Sequence, residues 1–478
     1  MGEEKTKKII CFIFSRYTLI LSIFLLPWFF VGAVFIAFPT CRALIFIIGN
    51  AIAIFSLSVL YLSDASYEER RLWGFFMLLF PLPCAAAFFP TVLLRTKNTV
   101  KASCPSSASA AFPVYYNTSA TYIRDGGEYF DMLFGDISEA KKSVYLEYFI
   151  ISEGILLSKL TALLCQKARR GCEVRIIYDG FGSLGSLSKK SYAKLREAGV
   201  SLRTFNSGIA SPLTVHNSRD HRKIAVIDGR IAYTGGINVA DEYANLKNRF
   251  GHWKDCALRI EGDCAAGMLR AFESCRAGTA SLFAKPILLD IPDGKNGAFL
   301  PFYSFPRHLS RYSVGKEMYL SIIRAARARL YVTTPYLTYD TEVAYALSEA
   351  VARGVDVKII IPGVKDKCLV GRVTDCVCRK LRTDGIKIYE YKPGFLHQKS
   401  VCADGEITLI GTLNLDSRSF FHNFENGVAV RSRTLANDVE EDFFTTLELS
   451  ELMTDKGRKA SYIHRAASAA LKLFSPLF

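Results

Sequence analysis

The sequence predicts an α/β protein in which two repeated α/β domains meet at a pseudo-two-fold interface and share one site, preceded by N-terminal transmembrane helices. Three observations carry that expectation. Short apolar runs such as VRIIY (174–178) and VKIII (357–361) are bounded by Gly or turn residues and alternate with helical patterns, as parallel strands in layered α/β domains do. The same order of elements then occurs twice. Three long segments near the N-terminus carry no charged side chain.

Those segments are Tyr17 to Phe38, Ala43 to Leu62 and Leu72 to Leu94, each near the ~20 residues a helix needs to cross the hydrocarbon core. Lys5, Lys7, Lys8 and Arg16 precede the first, but its length and the lack of a small-x-small cleavage site favour an anchor over a signal peptide. Pro81 and Pro83 remove backbone donors from the third, which fits two half-helices that dip in and return. Two spans and such a hairpin put the rest of the chain on the cytoplasmic face, beside Arg95, Lys97 and Lys101. The expectation is a multi-pass protein of the cell membrane with residues 1–97 as its membrane region. Residues 98–120, which open on a stretch rich in Ser, Ala and Thr, read as a linker.

Residues 121–300 and 301–478 are the repeated halves. The first runs from a helix near Tyr129 through SVYLEYFI, a helix ending in RRG, CEVRIIYDG and YAKLREAGVSLRTF to DHRKIAVIDGRIAYTGGIN. The second runs from a helix near Met318 through RLYVTTPY, a helix ending in ARG, VDVKIIIPG and CRKLRTDGIKIYEY to FLHQKSVCADGEITLIGTLN. Two copies are too few for a solenoid and suggest a duplication. Beyond the second lies an amphipathic tail, Tyr462 to Phe478, which fits either an interfacial helix or one docked on the core.

Composition narrows the partner. Half of the 478 residues are hydrophobic, which excludes a disordered chain, and 60 Lys plus Arg against 45 Asp plus Glu give a formal charge of +15. Residues 1–97 hold nine basic and five acidic residues, so +11 of that charge belongs to the remainder. An anionic partner is expected, whether acidic lipid, phosphorylated substrate or nucleic acid. The thirteen cysteines are odd in number and scattered, and Cys165, Cys256 and Cys402 lie in apolar-patterned segments, so buried thiols in a reducing compartment are expected rather than a disulfide framework. Cys376 and Cys378 form a CxC without a second ligand cluster, which reads as helix packing rather than zinc.

Each half ends in one constellation with identical spacing, HxKxxxxDx6GxxN: His221, Lys223, Asp228, Gly235 and Asn238, then His397, Lys399, Asp404, Gly411 and Asn414. A single HxK is a weak signal, but five matched positions in corresponding places of two repeats are not. On a strand, His and Lys at i and i+2 share a face. A two-fold arrangement brings two imidazoles, two ammonium groups and two carboxamides around one point, a pocket for a tetrahedral oxyanion. Phosphodiester chemistry fits it: one imidazole attacks phosphorus while the other protonates the leaving alkoxide and then deprotonates the incoming hydroxyl. The lysines and Asn238 and Asn414 hold the phosphate oxygens. No Mg²⁺-type carboxylate cluster or Zn²⁺-type His/Cys cluster lies nearby in sequence, so no metal and no cofactor are expected.

With their GGxN and GTxN extensions the two HxKxxxxD motifs resemble those of the phospholipase D superfamily. The flanking strings YLEYFII, VRIIYDGFGS, GGINVADEY, TTPY, GVKDK, GIKIYEY, GTLNLDSRSF and NFENGVAV are similar to those of the bacterial cardiolipin synthases. The resemblance covers essentially the whole chain. It implies two phospholipase D-like domains with His221 and His397 as nucleophile and acid/base pair, a covalent phosphatidyl-histidine, and phosphate binding by Lys223, Lys399, Asn238 and Asn414. Asp228 and Asp404 belong to the motif and are read either as catalytic members or as ion pairs or turn bonds that hold strand ends. Each imidazole also needs a carboxylate to set its tautomer, and Asp255 in HWKD and Glu425 in NFEN are the candidates.

The reaction so implied joins two phosphatidylglycerol molecules into cardiolipin and releases glycerol, with a membrane as partner and no nucleic acid. A hydrolase or another phosphatidyltransferase is the alternative, and a membrane-anchored nuclease a more distant one. Gln398 and Cys402 depart from the small and aliphatic residues expected there, and PILLDIPDGK lacks the turn expected at the start of the second half. His216 and His422, close to the motifs, read as surface or capping residues.

Overall fold

The computed structural model describes residues 36–62, 70–71, 73–75, 77, 112–206, 218–277, 297–306, 312–338 and 340–454, and divides the chain into a unit of residues 1–100 and a unit of residues 101–478. In the first unit, helix α1 (Arg42–Leu62) takes up the second of the uncharged segments. Among the described residues no helix is long and apolar enough to cross a membrane. The expected N-terminal transmembrane helices are therefore corrected. Freedom from charge does not by itself make a span: the continuous helix α1 carries Asn50, Ser56 and Ser58, and the two serine hydroxyls donate to the carbonyls of Ile52 and Ile54 one turn back. Most of the first and third segments, all but the end of the Ser-rich stretch, PILLDIPDGK, His216 and the tail from Tyr462 lie outside the described residues.

The second unit holds two sheets. The first is built from β1 (Thr118–Ile123), α2 (Gly126–Glu139), β2 (Ser143–Tyr148), α3 (Ile155–Arg169), β3 (Glu173–Asp179), α4 (Lys189–Glu197), β4 (Ser201–Phe205), β5 (Arg219–Asp220), β6 (Ile224–Ile227), β7 (Ile231–Gly235), β8 (His252–Lys254), β9 (Ala257–Gly262) and α5 (Cys264–Ala277). The second follows with β10 (Ala298–Ser304), α6 (Val314–Ala325), β11 (Arg329–Thr333), α7 (Thr341–Ala352), β12 (Asp356–Pro362), α8 (Cys368–Thr383), β13 (Lys387–Tyr391), β14 (Gly394–Leu396), β15 (Ser400–Ala403), β16 (Ile407–Gly411), α9 (Ser417–Phe421), β17 (Asn423–Arg431), α10 (Arg433–Glu448) and β18 (Ser450–Leu452).

The strand orders repeat. The first sheet runs β1-β9-β7-β6-β2-β3-β4 and the second β10-β17-β16-β15-β11-β12-β13-β18. In each, a parallel trio (β2-β3-β4 or β11-β12-β13), joined by helical crossovers, continues into an antiparallel hairpin (β6-β7 or β15-β16) that carries the end of the HxK motif. Each half buries its own core, one around Leu133, Leu146 and Ile176, the other around Met318, Leu347 and Ile359. A third cluster joins the halves: Ile224, Val226, Leu258 and Phe272 pack with Phe299, Ile410, Val428 and Val439. The faces of β6, β7 and β9 thereby meet those of β15, β16 and β17 and set the two motif hairpins against each other.

Both hairpins turn on Asp-Gly. Asp228 and Gly229 have φ of 52° and 67°, Asp404 and Gly405 of 55° and 68°, a left-handed pair that Asp-Gly supplies at low strain, in loops that leave three residues between Ile227 and Ile231 and between Ala403 and Ile407. The two carboxylates stand at the opposite end of their strands from the lysines. Asp228 accepts hydrogen bonds from the backbone N–H groups of Lys141, Lys142 and Ser143 at 2.8, 2.7 and 2.8 Å. Asp404 accepts from Arg327, Ala328 and Arg329 at 2.9, 2.8 and 2.9 Å. Each thus ties its hairpin to the start of the neighbouring parallel strand. Replacing either by Asn tolerates the positive φ but removes the charge, so Asp228→Asn and Asp404→Asn are each expected to lose about 1–2 kcal/mol of stability, with activity per folded molecule little changed. Urea denaturation beside activity at a permissive temperature checks this.

Candidate active site

The motif histidines do not lie within their own sheets. The chain before each lysine leaves its half and pairs with a strand of the other. β5 lies parallel to the start of β17, and the N–H of His221 donates to the carbonyl of Phe424 at 3.0 Å. β14 lies parallel to β8, and the N–H of His397 donates to the carbonyl of Lys254 at 2.7 Å. One residue beyond each of those carbonyls stands a carboxylate.

The imidazole–carboxylate pairs are consequently crossed between the halves. His221 Nδ1 is 3.0 Å from both oxygens of Glu425, and His397 Nδ1 is 2.7 Å from Asp255 Oδ2. Both carboxylates are fully buried and anchored on their far side. Asp255 Oδ1 accepts from the N–H of Cys256 at 2.9 Å, and Glu425 accepts from Asn423 Nδ2 at 3.1 Å and from the Thr412 hydroxyl. The small pair after each second hairpin strand accommodates them. A Cβ on Gly236 would sit 2.0 Å from Asp255 Oδ1, whereas the corresponding Thr412 holds the longer Glu425 by its hydroxyl.

These contacts set the tautomers. Nδ1 of each imidazole faces a carboxylate and carries the proton that the carboxylate accepts, which leaves Nε2 with its lone pair for chemistry. Lys399 Nζ also lies 2.9 Å from His397 Nδ1, but one nitrogen cannot donate to Asp255 and accept from an ammonium at once. The Asp255 bond is the shorter, and the ammonium has the His397 carbonyl as acceptor instead. Lys223 Nζ likewise donates to the His221 carbonyl at 2.7 Å. The rings are walled by aromatic groups: Phe149 is 5.2 Å from His221 between centroids, and Tyr243 and Trp253 are each 5.4 Å from His397. The histidine side chains keep 12% and 9% of their surface exposed, a narrow opening.

Burial and crowding by like charge shape the electrostatics. Burial lowers the His221 imidazole to about 4, with Lys223 and Lys399 acting in the same direction against Glu425. Burial, then Lys399 and Lys223, push His397 well below its usual value. The two ammonium groups are depressed as well, Lys223 to about 7 by burial and by Lys399, and Lys399 to about 8 by burial. Asp255 is raised by burial to about 7. Burial acts on Glu425 too, but His221 and Lys223 outweigh it and hold that carboxyl below its ordinary range. The imidazoles are thus neutral near pH 7, and the cationic groups gain from any anion placed among them.

The other motif residues are placed as follows. Asn238 accepts from the N–H of Ile150 at 3.0 Å and donates to Tyr243 at 2.7 Å, and Asn414 donates to Asp416 at 3.3 Å. Between His and Lys the alternation turns a residue away from the site. Arg222 pairs there with Glu147 and Asp220 at 2.6 and 3.0 Å, and Gln398 donates to Tyr122 at 2.9 Å and to Asp442 at 3.2 Å. The departure at Gln398 therefore serves a polar cluster that joins the halves, completed by Lys254 on Asp442 at 2.6 Å. Cys402 is buried, with its thiol 3.7 Å from the Ala436 carbonyl of α10. His422 ends α9. Sequence reasoning passed over Thr412 and Asn423 as carboxylate anchors and Phe149, Tyr243 and Trp253 as ring walls. The string NFEN around Glu425 was the available signal for Asn423.

Among the described residues no three His, Cys, Asp or Glu side chains are grouped to hold a metal ion. The family described as "Cardiolipin synthase, PLD-like domain" matches residues 133–249 and 319–447. The chain is 38% identical over 373 residues to an uncharacterized protein of Streptococcus mutans, covering 77% of this chain and 80% of that one. It is 31% identical over 374 residues to a cardiolipin synthase of Halalkalibacterium halodurans (76% and 73% covered) and 35% identical over 345 residues to one of Oceanobacillus iheyensis (71% of each). Among solved structures, the phosphatidylserine synthase of Haemophilus influenzae superposes with a TM-score of 0.59 over 81% of this chain and 99% of that one, at 13% identity, a likeness of fold alone.

Proposed function

The chain belongs to the family of cardiolipin synthases with phospholipase D-like domains, phosphatidyltransferases, and we propose that it makes cardiolipin and glycerol from two molecules of phosphatidylglycerol. The observation that carries the reading is the pair of crossed imidazole–carboxylate contacts with two buried lysines between them. One imidazole Nε2 attacks the phosphorus of the first lipid, the P–O bond to glycerol breaks, and the second imidazole protonates the departing oxygen. The hydroxyl of the second lipid then gives its proton to that imidazole and displaces histidine from phosphorus. Lys223 and Lys399 neutralise the non-bridging oxygens as charge builds, and the second amide N–H of Asn238 and of Asn414 is available to them.

The low-lying titrations fit this use. A phosphodiester anion between the lysines raises every cationic group around it, so substrate itself stabilises the ammonium groups and the one imidazolium the mechanism needs. Asp228 and Asp404 contribute by fixing the hairpins rather than by touching substrate. The +11 carried outside residues 1–97 supports work at an anionic lipid surface, and the buried free thiols among the described residues fit a leaflet facing a reducing compartment.

The test is incubation of the purified protein with phosphatidylglycerol alone, with and without EDTA. Cardiolipin and glycerol in equal amounts, unchanged by chelation, are the expected products. A requirement for a second lipid such as phosphatidylethanolamine or CDP-diacylglycerol overturns the substrate, and loss of activity in EDTA overturns the lysine-based charge stabilisation.

A further inference from the structure

The two imidazole–carboxylate pairs rest on unequal supports. His221 follows β5, which lies along β17, and Glu425 is itself on β17, a nine-residue strand held between β10 and β16 in the larger sheet. His397 and Asp255 follow directly on β14 and β8, which among the described residues form a sheet of two strands, in register from Gly394 and His252 to Leu396 and Lys254. A two-stranded ribbon is marginal at best without further support. Trp253 packs on Phe395 with the rings 4.9 Å apart, but apolar contact is non-directional and resists separation of the strands better than their sliding.

The directional support comes from α10. Asp442 is buried there, and its carboxylate reaches both strands. Its Oδ1 accepts from the Lys254 ammonium at 2.6 Å, and its Oδ2 accepts from Gln398 Nε2 at 3.2 Å and from the Tyr122 hydroxyl at 2.8 Å. Lys254 is the residue before Asp255, and Gln398 the one after His397, so one side chain grips the immediate neighbour of each member of the pair. Both grips are braced. Lys254 Nζ also donates to the Arg124 carbonyl at 2.7 Å, and the Gln398 amide donates to the Tyr122 oxygen at 2.9 Å and to Ser400 Oγ at 3.1 Å. Charge-assisted bonds of this kind fix the register that packing leaves free. In the first motif the residue in the place of Gln398 is Arg222, whose guanidinium donates to Asp220 at 3.0 Å and, on α5, to the Ala271 carbonyl and the Ser274 hydroxyl at 2.8 and 2.9 Å, all within the first half.

Resting on the reading of His397 as a reacting imidazole and Asp255 as the carboxylate that orients it, we propose that Asp442 is a positioning residue for His397. It locks β8 against β14 in the register that holds His397 Nδ1 2.7 Å from Asp255 Oδ2. Without that lock the ribbon slides, Nδ1 loses its fixed acceptor, and the imidazole divides its proton between Nδ1 and Nε2. Only the form protonated on Nδ1 has the Nε2 lone pair that reacts. The His221–Glu425 pair is carried by β17 within the larger sheet and is insulated from the change.

Asp442→Asn keeps the size of the side chain and withdraws the charge that Lys254 meets. In the full-length protein it is expected to lower kcat on phosphatidylglycerol about 10–100-fold with KM changed less than about twofold, the effect of a misplaced orienting contact. The distinguishing readout is spectroscopic. In protein labelled with nitrogen-15 at histidine, the Nδ1 and Nε2 shifts of each imidazole report its tautomer, and the His397 signals are identified by their loss in His397→Ala. In Asp442→Asn the His397 signals should move toward a mixture of tautomers while those of His221 stay in place. Gln398→Met leaves the Lys254–Asp442 pair intact and removes only the amide beside His397. It should move the His397 signals in the same direction with a loss in kcat of about three- to tenfold, and it carries the test where Asp442→Asn lowers the folded yield. An unchanged kcat or unmoved His397 signals in the folded variants overturns the proposal, and so does an equal displacement of His221 and His397, the mark of general loosening. Wild-type protein that forms no cardiolipin overturns the substrate alone, because the imidazole signals test Asp442 without substrate.

Discussion

His221→Ala and His397→Ala are each expected to lower cardiolipin formation at least about 10³-fold, since each removes either the nucleophile or the acid/base, and the two act as one unit. The double variant should be little worse than either single one for the same reason. The two single variants differ in what they accumulate. The variant that lacks the acid/base but keeps the nucleophile can still attack a donor with a good leaving group, such as a p-nitrophenyl phosphodiester, and should trap a phosphohistidine stable to base and labile to acid. The variant that lacks the nucleophile should trap none. Mass spectrometry of the quenched protein reads this directly, and turnover within tenfold of wild type in either variant would sink the paired-histidine mechanism.

The second large effect lies in the crossed carboxylates. Asp255→Asn keeps the size of the side chain but turns a proton acceptor into an amide able to present an N–H to His397 Nδ1. The imidazole then holds its proton on Nε2 and loses the lone pair that reacts, so kcat should fall about 10²–10⁴-fold with KM nearly unchanged. Glu425→Gln should act in the same way on His221. The pairing adds a sharper expectation: Asp255→Asn should cost little further in a His397→Ala background, and Glu425→Gln little further in a His221→Ala background. A merely structural role for Asp255 would instead lower the thermal midpoint and leave the kcat of the folded fraction intact.

Much of the fold was legible because periodicity and turn chemistry are local. The alternation of VRIIY and VKIII with helical patterns, and its recurrence, marked two α/β halves, and the two sheets have one strand order. The period of two also placed Lys223 with His221 and turned Arg222 away, to be met by Glu147 and Asp220. Absence of charge was a poorer guide in the first unit, because it does not measure whether one continuous helix is apolar enough to span. The motif aspartates were readable in a way not exploited: Asp-Gly between two short apolar runs marks a tight hairpin turn, and both residues take the left-handed conformation at 228–229 and 404–405.

Residue types and spacing along the chain established which groups could do the chemistry: two imidazoles, two ammonium groups, and Asp255 and Glu425 as carboxylates in search of partners. They could not say which carboxylate serves which imidazole. His221 and Glu425 are 204 positions apart, His397 and Asp255 are 142 apart, and each pair joins opposite halves. A strand period carries information over a handful of residues, whereas these pairings arise where β5 leaves its sheet for β17 and β14 lies along β8. The packing of Ile224 and Val226 with Ile410 and Val428 brings those strands together, so the proton positions on the catalytic rings follow from burial between the halves.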